Sequence, residues 1–181
     1  DNSQKITMPI LDEHRQQITD SATAYQITSM LQGVVERGTG ARARAIGKII
    51  AGKTGTTNNS YDSWFVGFTP DLVAGAYVGF DMPRSLGKKE TGASIALPVF
   101  VDFMKQALKD TPSTPFRIPS SVKFVKIDFD TGKEPTSTTP KDKVFFEALK
   151  INDFIDDESG SATQFIDDGF GDGGNDPVGI Y

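Results

Sequence analysis

Helical periodicity marks a segment near the start of the chain. Asp20 and Ser21 are both good N-caps, and a helix is predicted to begin at one of them. Apolar residues then recur at three- and four-residue spacing, at Ala24, Ile27, Leu31 and Val34. We expect Gly38 to end this helix in the left-handed conformation. The small, polar and basic residues 38–47 predict a loop.

A second apolar stripe predicts another helix about sixty residues further on. It consists of Leu97, Val101, Met104 and Leu108. Pro98 is tolerated only in the first turn of a helix, so the helix should start near Ala96 or Leu97.

Between the two helices, β-rich runs predict a three-stranded antiparallel sheet. One strand begins at Ile49 and continues through residues 52–57, and residues 64–68 and 72–80 resemble a hairpin. Glycines at corresponding hairpin positions indicate that another element packs closely, and the second helix is the expected partner. An antiparallel sheet packed with helices is an α+β fold. We expect the phenylalanines to lie in its core.

The last third of the chain differs in composition. Residues 122–129 alternate as a strand, residues 130–132 form a turn, and residues 144–149 are a short run that docks. Glycine and aspartate dominate from residue 152, which predicts disorder. We therefore divide the chain into residues 1–110, an extension over 111–151 with a short strand, and an acidic tail over 152–181.

Charge and residue usage exclude several functions. The net charge is −5, but residues 152–181 hold eight acidic and no basic residues, so the rest is net basic. No cysteine is present, which excludes disulfides and thiolate metal sites. With His14 as the only histidine, neither a histidine-dependent triad nor a metal site is expected. Arg42 and Arg44 are too few to predict nucleic-acid binding, and no cofactor is predicted.

The tripeptide Lys53-Thr54-Gly55 is the candidate for chemistry. It leaves an apolar strand and is followed by two further hydroxyls, Thr56 and Thr57. An edge strand binds an extended peptide by main-chain pairing, and a glycine permits close approach. Threonine hydroxyls beside a lysine suit a carboxylate, and the Thr56 N–H is placed to stabilise an oxyanion. By itself, however, the triplet is equally compatible with an ordinary strand.

The surrounding sequence resembles the transpeptidase domain of class A penicillin-binding proteins, which are bifunctional glycosyltransferase/transpeptidases. The resemblance covers about ninety residues, and Lys-Thr-Gly is a signature of this serine acyl-transferase family. The matching runs are AYQITSMLQGVV (residues 24–35), RGTGARARAIGKIIAGKTGTTNNSYDSWFVGFTPDLVAGAYVGFD (37–81) and ETGASIALPVFVDFMKQAL (90–108). This resemblance implies that residues 1–110 are the C-terminal half of a penicillin-binding, β-lactamase-like fold with helices on both sheet faces.

The resemblance also implies site roles and partners. Lys53 polarises the site, Thr54 to Thr57 with Gly55 contact substrate, and the Thr56 N–H donates to the oxyanion. The substrates are peptidoglycan stem peptides ending in D-Ala-D-Ala, or β-lactams. The implied location is the periplasmic side of the inner membrane, with the anchor and a glycosyltransferase domain outside this chain.

The chain departs from the family pattern because no serine nucleophile is recognisable. No Ser-x-x-Lys precedes Lys53, and no Ser-x-Asn occurs anywhere. Two Ser-x-x-Lys matches start at Ser85 and Ser120, both in loop-like sequence that cannot hold the lysine against the serine. Without an activated serine there is no covalent step, so this chain alone is expected to be inactive.

Three alternatives remain open at this stage. The chain is part of a transpeptidase, or it is a non-catalytic module that binds stem peptides or proteins, or it is a β-lactamase or class B relative. The long extension after Lys109 and the hairpin over residues 64–72 favour class A. A sheet lacking its first two strands exposes an edge and an apolar face, which predicts self-association, partial disorder or pairing with the absent part of the domain.

Overall fold

The computed structural model describes residues 16–151. The expectations for residues 1–15 and for the acidic tail lie outside the described residues. Helix α1 spans Ser21–Arg37 and ends at Gly38, as predicted. Gly38 is extended (φ −114°), so the predicted left-handed cap is wrong. Glycine suits the position because a Cβ there would lie 3.0 Å from the Val34 backbone.

The α1–β1 connection contains more structure than the predicted loop. A 3-10 helix spans Ala41–Ile46, with Ala43 and Ile46 buried in the core. Gly47 follows at φ +70°, so the left-handed glycine lies here. Short-range turn structure with two buried apolar anchors explains why a polar, basic sequence is ordered at this point.

Three strands form the main antiparallel sheet in the order β1-β2-β3, as predicted. They are β1 (Ala51–Thr56), β2 (Asp62–Phe68) and β3 (Val73–Gly79). Register pairs Gly55 with Trp64 and Thr56 with Ser63. Ser63 and Phe65, which share one face of β2, are fully buried. Trp64 and its neighbours on the opposite face are exposed.

Helix α2 covers the buried face of this sheet. It spans Leu97–Ala107, with Pro98 in its first turn as predicted, and a π-helical turn (Gly92–Ala96) precedes it. All four residues of the predicted stripe are buried: Leu97, Val101, Met104 and Leu108. Phe100 packs on Phe65 with ring centroids 4.7 Å apart. A Cβ at Gly67 would lie 2.7 Å from the Phe100 ring, so the predicted close packing by this helix is confirmed at that glycine.

The extension forms a second, two-stranded antiparallel sheet from β4 (Val122–Asp128) and β5 (Val144–Lys150). The sequence predicted β4, but it showed β5 only as a short docking run. Strand β5 lies beside α1, since the Gln26 side chain donates to the Ala148 carbonyl. Ala22 and Tyr25 of α1 share a small buried cluster with this hairpin. Pairing with β4, rather than a strict period of two, determines that β5 is a strand.

Two further expectations about burial are wrong. The predicted α1 stripe includes Ile27, which is 52% exposed, because the helix buries Tyr25 and Val35 instead. The phenylalanines, taken from the sequence as core, are only partly so. Phe65 and Phe100 are buried, whereas five others are at least 40% exposed: Phe80, Phe103, Phe124, Phe129 and Phe146. Both helices lie on one face of the main sheet within residues 16–151, and the expected helical layer on the other face stays a prediction.

Asp20 caps the first turn of α1 and ties it to β5. Its carboxylate accepts the Thr23 N–H at 2.9 Å and the Thr23 hydroxyl at 2.6 Å, and Lys150 Nζ lies 3.3 Å away. The Thr23 side-chain bond is the largest cause that holds the pKa of Asp20 well below its ordinary value. A lowered folded-state pKa stabilises the helix above pH ~4, and the stabilisation is lost as the pH falls below that value.

We expect Asp20→Ala to reduce amide hydrogen-exchange protection in the first turn of α1 at pH 7. The difference in protection factor from the unsubstituted chain should narrow as the pH falls from 7 to 3. Asp20→Asn is the matched control, because it keeps a capping oxygen but cannot titrate. If the difference in protection factor between Asp20→Ala and the unsubstituted chain did not change with pH, the carboxylate charge would not contribute to the stability of the first turn.

Candidate active site

The outer edge of β1 carries backbone groups that point away from β2. Within residues 16–151 no strand pairs with β1 on the side away from β2. The Thr57 N–H donates to the Asp62 carbonyl at 3.1 Å, toward β2. N–H groups alternate in direction along a strand, so those of Thr54 and Thr56 point outward from the edge. The Thr56 N–H therefore has the direction that an oxyanion donor requires.

Lys53 and Thr54 are brought together at this edge. Lys53 is exposed, and its Nζ donates to the Thr54 carbonyl oxygen at 3.1 Å and lies 3.5 Å from Thr54 Oγ1. Thr54 Oγ1 also lies 2.9 Å from Thr39 Oγ1, in the connection before β1. A cation and a hydroxyl are thus adjacent on the free edge, which suits an anionic ligand.

Thr56 and Gly55 complete the strand. The exposed Thr56 side chain accepts a hydrogen bond from the Gly92 N–H, 3.0 Å from Oγ1. A Cβ at Gly55 would come 3.1 Å from the Trp64 Cβ, so the missing side chain lets Trp64 lie across β1. From the sequence, Gly55 was predicted to permit the close approach of an extended peptide, and that role stays a prediction.

Thr57 differs from the other predicted site residues. Its hydroxyl accepts the Asp62 N–H at 2.8 Å, and its own N–H donates to the Asp62 carbonyl. Both polar groups therefore hold the β1–β2 connection. Its predicted contact with substrate stays a prediction, and its observed bonds are those of a turn residue.

Sequence reasoning missed the residues that support these threonines. Thr39 contacts Thr54 although the two are fifteen residues apart, and no local sequence pattern predicts this contact. Gly92 contacts Thr56 from thirty-six residues away. The sequence did contain a signal for the turn that carries Gly92. Thr91 and Ser94 have the spacing of a capping box, and they form one at the start of the π-helical turn.

The two Ser-x-x-Lys matches both lie outside helices. Ser85 is in the irregular connection between β3 and α2, where its hydroxyl accepts the Gly87 N–H at 3.2 Å. Ser120 is in the turn that leads into β4. The expectation that neither match has helical geometry is confirmed.

Tyr77 is a further polar side chain near this sheet, on the open face. Its hydroxyl donates to Asp62 Oδ1 at 2.8 Å, and its ring lies 4.7 Å from that of Trp64. The hydrogen bond to Asp62 is the largest cause that raises the pKa of Tyr77 above its ordinary value, followed by burial and nearby carboxylates. The phenol therefore stays protonated at neutral pH and is unsuited to act as a base.

Comparison with known families shows to which family the chain belongs. The family model described as the penicillin binding protein transpeptidase domain matches residues 7–105, more than half of the chain. The chain belongs to the penicillin-binding protein transpeptidase family. The Lys-Thr-Gly strand and the Gly92 turn both fall within the matched residues.

Individual members of the penicillin-binding protein family agree with this assignment. The chain is 50% identical over 151 residues to penicillin-binding protein 1A of Rickettsia conorii, covering 83% of this chain. It is 45% identical over 139 residues to penicillin-binding protein 1A of Pseudomonas aeruginosa, covering 76% of this chain. It spans 18% and 17% of those two proteins.

The solved structure of penicillin-binding protein 1A from Haemophilus influenzae also matches. The TM-score is 0.64 at 33% identity, over 74% of this chain and 21% of that one. The α+β fold expected for a penicillin-binding protein is confirmed. None of the helices within residues 16–151 has the length and apolarity to cross a bilayer.

Proposed function

We propose that this chain contributes the substrate-binding strand of a peptidoglycan D,D-transpeptidase. One observation carries the proposal: Lys53, Thr54 and Thr56 lie together on the unpaired edge of β1, with the Thr56 N–H directed outward. An extended peptide adds to such an edge by main-chain hydrogen bonds. The cation and two hydroxyls then face the terminal carboxylate of the peptide.

The proposed reaction is acyl transfer from a stem peptide ending in D-Ala-D-Ala. A serine hydroxyl attacks the carbonyl carbon of the penultimate D-Ala, the terminal D-Ala leaves as an amine, and an acyl-enzyme remains. The Thr56 N–H donates to the oxygen that becomes negative in the tetrahedral intermediate. An amine of a neighbouring stem peptide then attacks the ester, which forms the cross-link and releases the serine.

The attacking serine resides on polypeptide outside the described part of this chain. β-Lactams acylate the same serine, and their carboxylate occupies the place of the terminal carboxylate. The remainder of the domain pairs with this chain at the open face of the sheet. A glycosyltransferase domain and a membrane anchor belong to the whole protein, which acts on the periplasmic side of the inner membrane.

A second candidate function is binding without catalysis. Both Ser-x-x-Lys matches lie off helices, so this chain by itself can use the strand edge only to hold a stem peptide. The two functions differ in one measurable respect, because only the transpeptidase forms a covalent adduct with penicillin.

We expect Lys53→Ala, introduced into the full-length protein that carries this sequence, to slow acylation by fluorescent penicillin about 100-fold or more, as expected for loss of a charged group that stabilises the transition state. The measurement is the second-order rate constant of labelling. Lys105→Ala is the matched control, since it removes the same charge from an exposed position on α2. Equal rates for the two variants would contradict the proposed site, and absence of labelling in the unsubstituted protein would favour the binding module.

A further inference from the structure

Gly92 lies in the turn before α2 and contacts the candidate binding strand β1. It is buried at the start of the π-helical turn that leads into α2. Its N–H donates to Thr56 Oγ1 at 3.0 Å. The Thr56 hydroxyl donates to no residue within 16–151, so the bond from Gly92 is its only described hydrogen bond.

A side chain at position 92 would collide with backbone atoms of both neighbouring strands. A Cβ there would lie 2.8 Å from the Gly55 carbonyl oxygen and 3.0 Å from the Gly55 nitrogen. It would lie closer still to the Trp64 carbonyl oxygen. Backbone atoms of a paired sheet cannot rotate aside as a flexible side chain does, so the close approach requires glycine.

The turn that carries Gly92 is itself fixed to the sheet. Ser63 is fully buried in β2, and its hydroxyl donates to the Thr91 carbonyl at 3.0 Å. The Thr91 N–H donates to Ser94 Oγ at 2.8 Å, which closes the capping box. Ser63 therefore holds the turn against β2 while Gly92 contacts β1.

The direction of the Gly92 bond determines what the Thr56 hydroxyl offers to a ligand. A hydroxyl has one proton to donate and two lone pairs that accept. The Gly92 N–H can only donate, so the Thr56 oxygen is the acceptor and its proton is left for another group. A carboxylate accepts hydrogen bonds and donates none, which makes it the complementary ligand.

We infer that Gly92 is a positioning residue for carboxylate recognition, which orients the Thr56 hydroxyl so that its proton points to the acyl donor's carboxylate. The inference rests on the proposed function, and it adds a residue on a separate element, thirty-six positions from Thr56. Gly92 acts through Thr56 and does not contact the reacting atoms.

The test compares penicillin with its carboxylate methyl ester, because only the free acid needs the oriented hydroxyl. In the full-length protein, the ratio of acylation rate constants for acid and ester should fall about 10- to 100-fold in Thr56→Val, the loss expected for a hydrogen bond to a charged group. Gly92→Ala should lower the same ratio comparably, and the double variant should lower it no further than Thr56→Val.

Two other variants separate positioning from folding. Ser63→Ala leaves the β1 backbone unobstructed but removes the anchor of the turn, so it should lower the acid-to-ester ratio less than Gly92→Ala. Gly33→Ala on α1 is the matched glycine control, since the nearest atoms to its Cβ would belong to the flexible guanidinium of Arg37, and the ratio should not change.

The outcomes distinguish the inference from the proposed function. An unchanged ratio in Thr56→Val would overturn both. A reduced ratio in Thr56→Val, with the ratio unchanged in Ser63→Ala and in any Gly92→Ala protein that folds, would overturn only the inference. Equal loss of acid and ester acylation in Gly92→Ala would assign it a purely structural role.

Discussion

Labelled penicillin is expected to form no stable covalent adduct with the isolated 181-residue chain, whereas the full-length protein that carries it should be labelled. Acylation requires a serine whose proton is removed by a neighbouring base. Ser85 and Ser120 precede a lysine by three residues, but neither lies on a helix that would bring the two side chains together. Denaturing electrophoresis with fluorescence detection measures the adduct.

The control is the full-length protein labelled under the same conditions and after competition with unlabelled penicillin. Mass spectrometry of the isolated chain provides a second readout, since an acyl-enzyme adds the mass of the β-lactam. A stable adduct on the isolated chain would contradict the absence of a nucleophile and would direct attention to Ser85 or Ser120.

The second large effect expected is self-association of the isolated chain through the open face of the main sheet. Four apolar side chains there are 43–67% exposed: Trp64, Val66, Val73 and Tyr77. Such a patch, next to unpaired strand edges, is typical of a surface that another element covers. Light scattering should therefore give a molar mass above that of the monomer.

Substitution of Val66 and Val73 by lysine should weaken this association about 100-fold, because an unpaired charge buried in an interface costs several kcal/mol. Val99→Lys is the matched control, since Val99 is 54% exposed on α2 instead. Trp64 is the sole tryptophan, so its emission should shift to shorter wavelength on association. A compact monomer with unchanged emission over a wide concentration range would contradict the prediction.

Local sequence pattern predicted the buried face of an element correctly where that element packs with one periodic apolar stripe. The four-residue stripe of α2 predicted its buried face correctly, because a helix that covers a sheet must place its apolar residues on one side. The same reasoning misassigned α1, which is buried through Tyr25 against the β4–β5 hairpin and through Val35 against the main sheet. Ile27 belongs to the apparent stripe yet is 52% exposed.

Partner strands and exposed aromatics required the three-dimensional arrangement. Strand β5 lacks clear alternation because it lies between β4 and α1, so its side chains meet different surroundings at each position. Phe124 and Phe146 are hydrophobic, which led to their prediction as core. They are 40% and 59% exposed although they share the hairpin face that contacts α1, where the rings of Tyr25 and Phe124 lie 6.1 Å apart, because α1 covers that face only in part.

The family and the α+β class were predictable from residue type and short spacing, and the same local pattern predicts the site residues Lys53, Thr54 and Thr56. Only the tertiary structure revealed that Thr56 accepts a hydrogen bond from Gly92 and that Thr54 contacts Thr39. Those contacts join residues fifteen to thirty-six positions apart, and their geometry depends on how the turns before β1 and α2 pack on the sheet. Packing of that kind is a collective property of the fold and leaves little trace in local residue order.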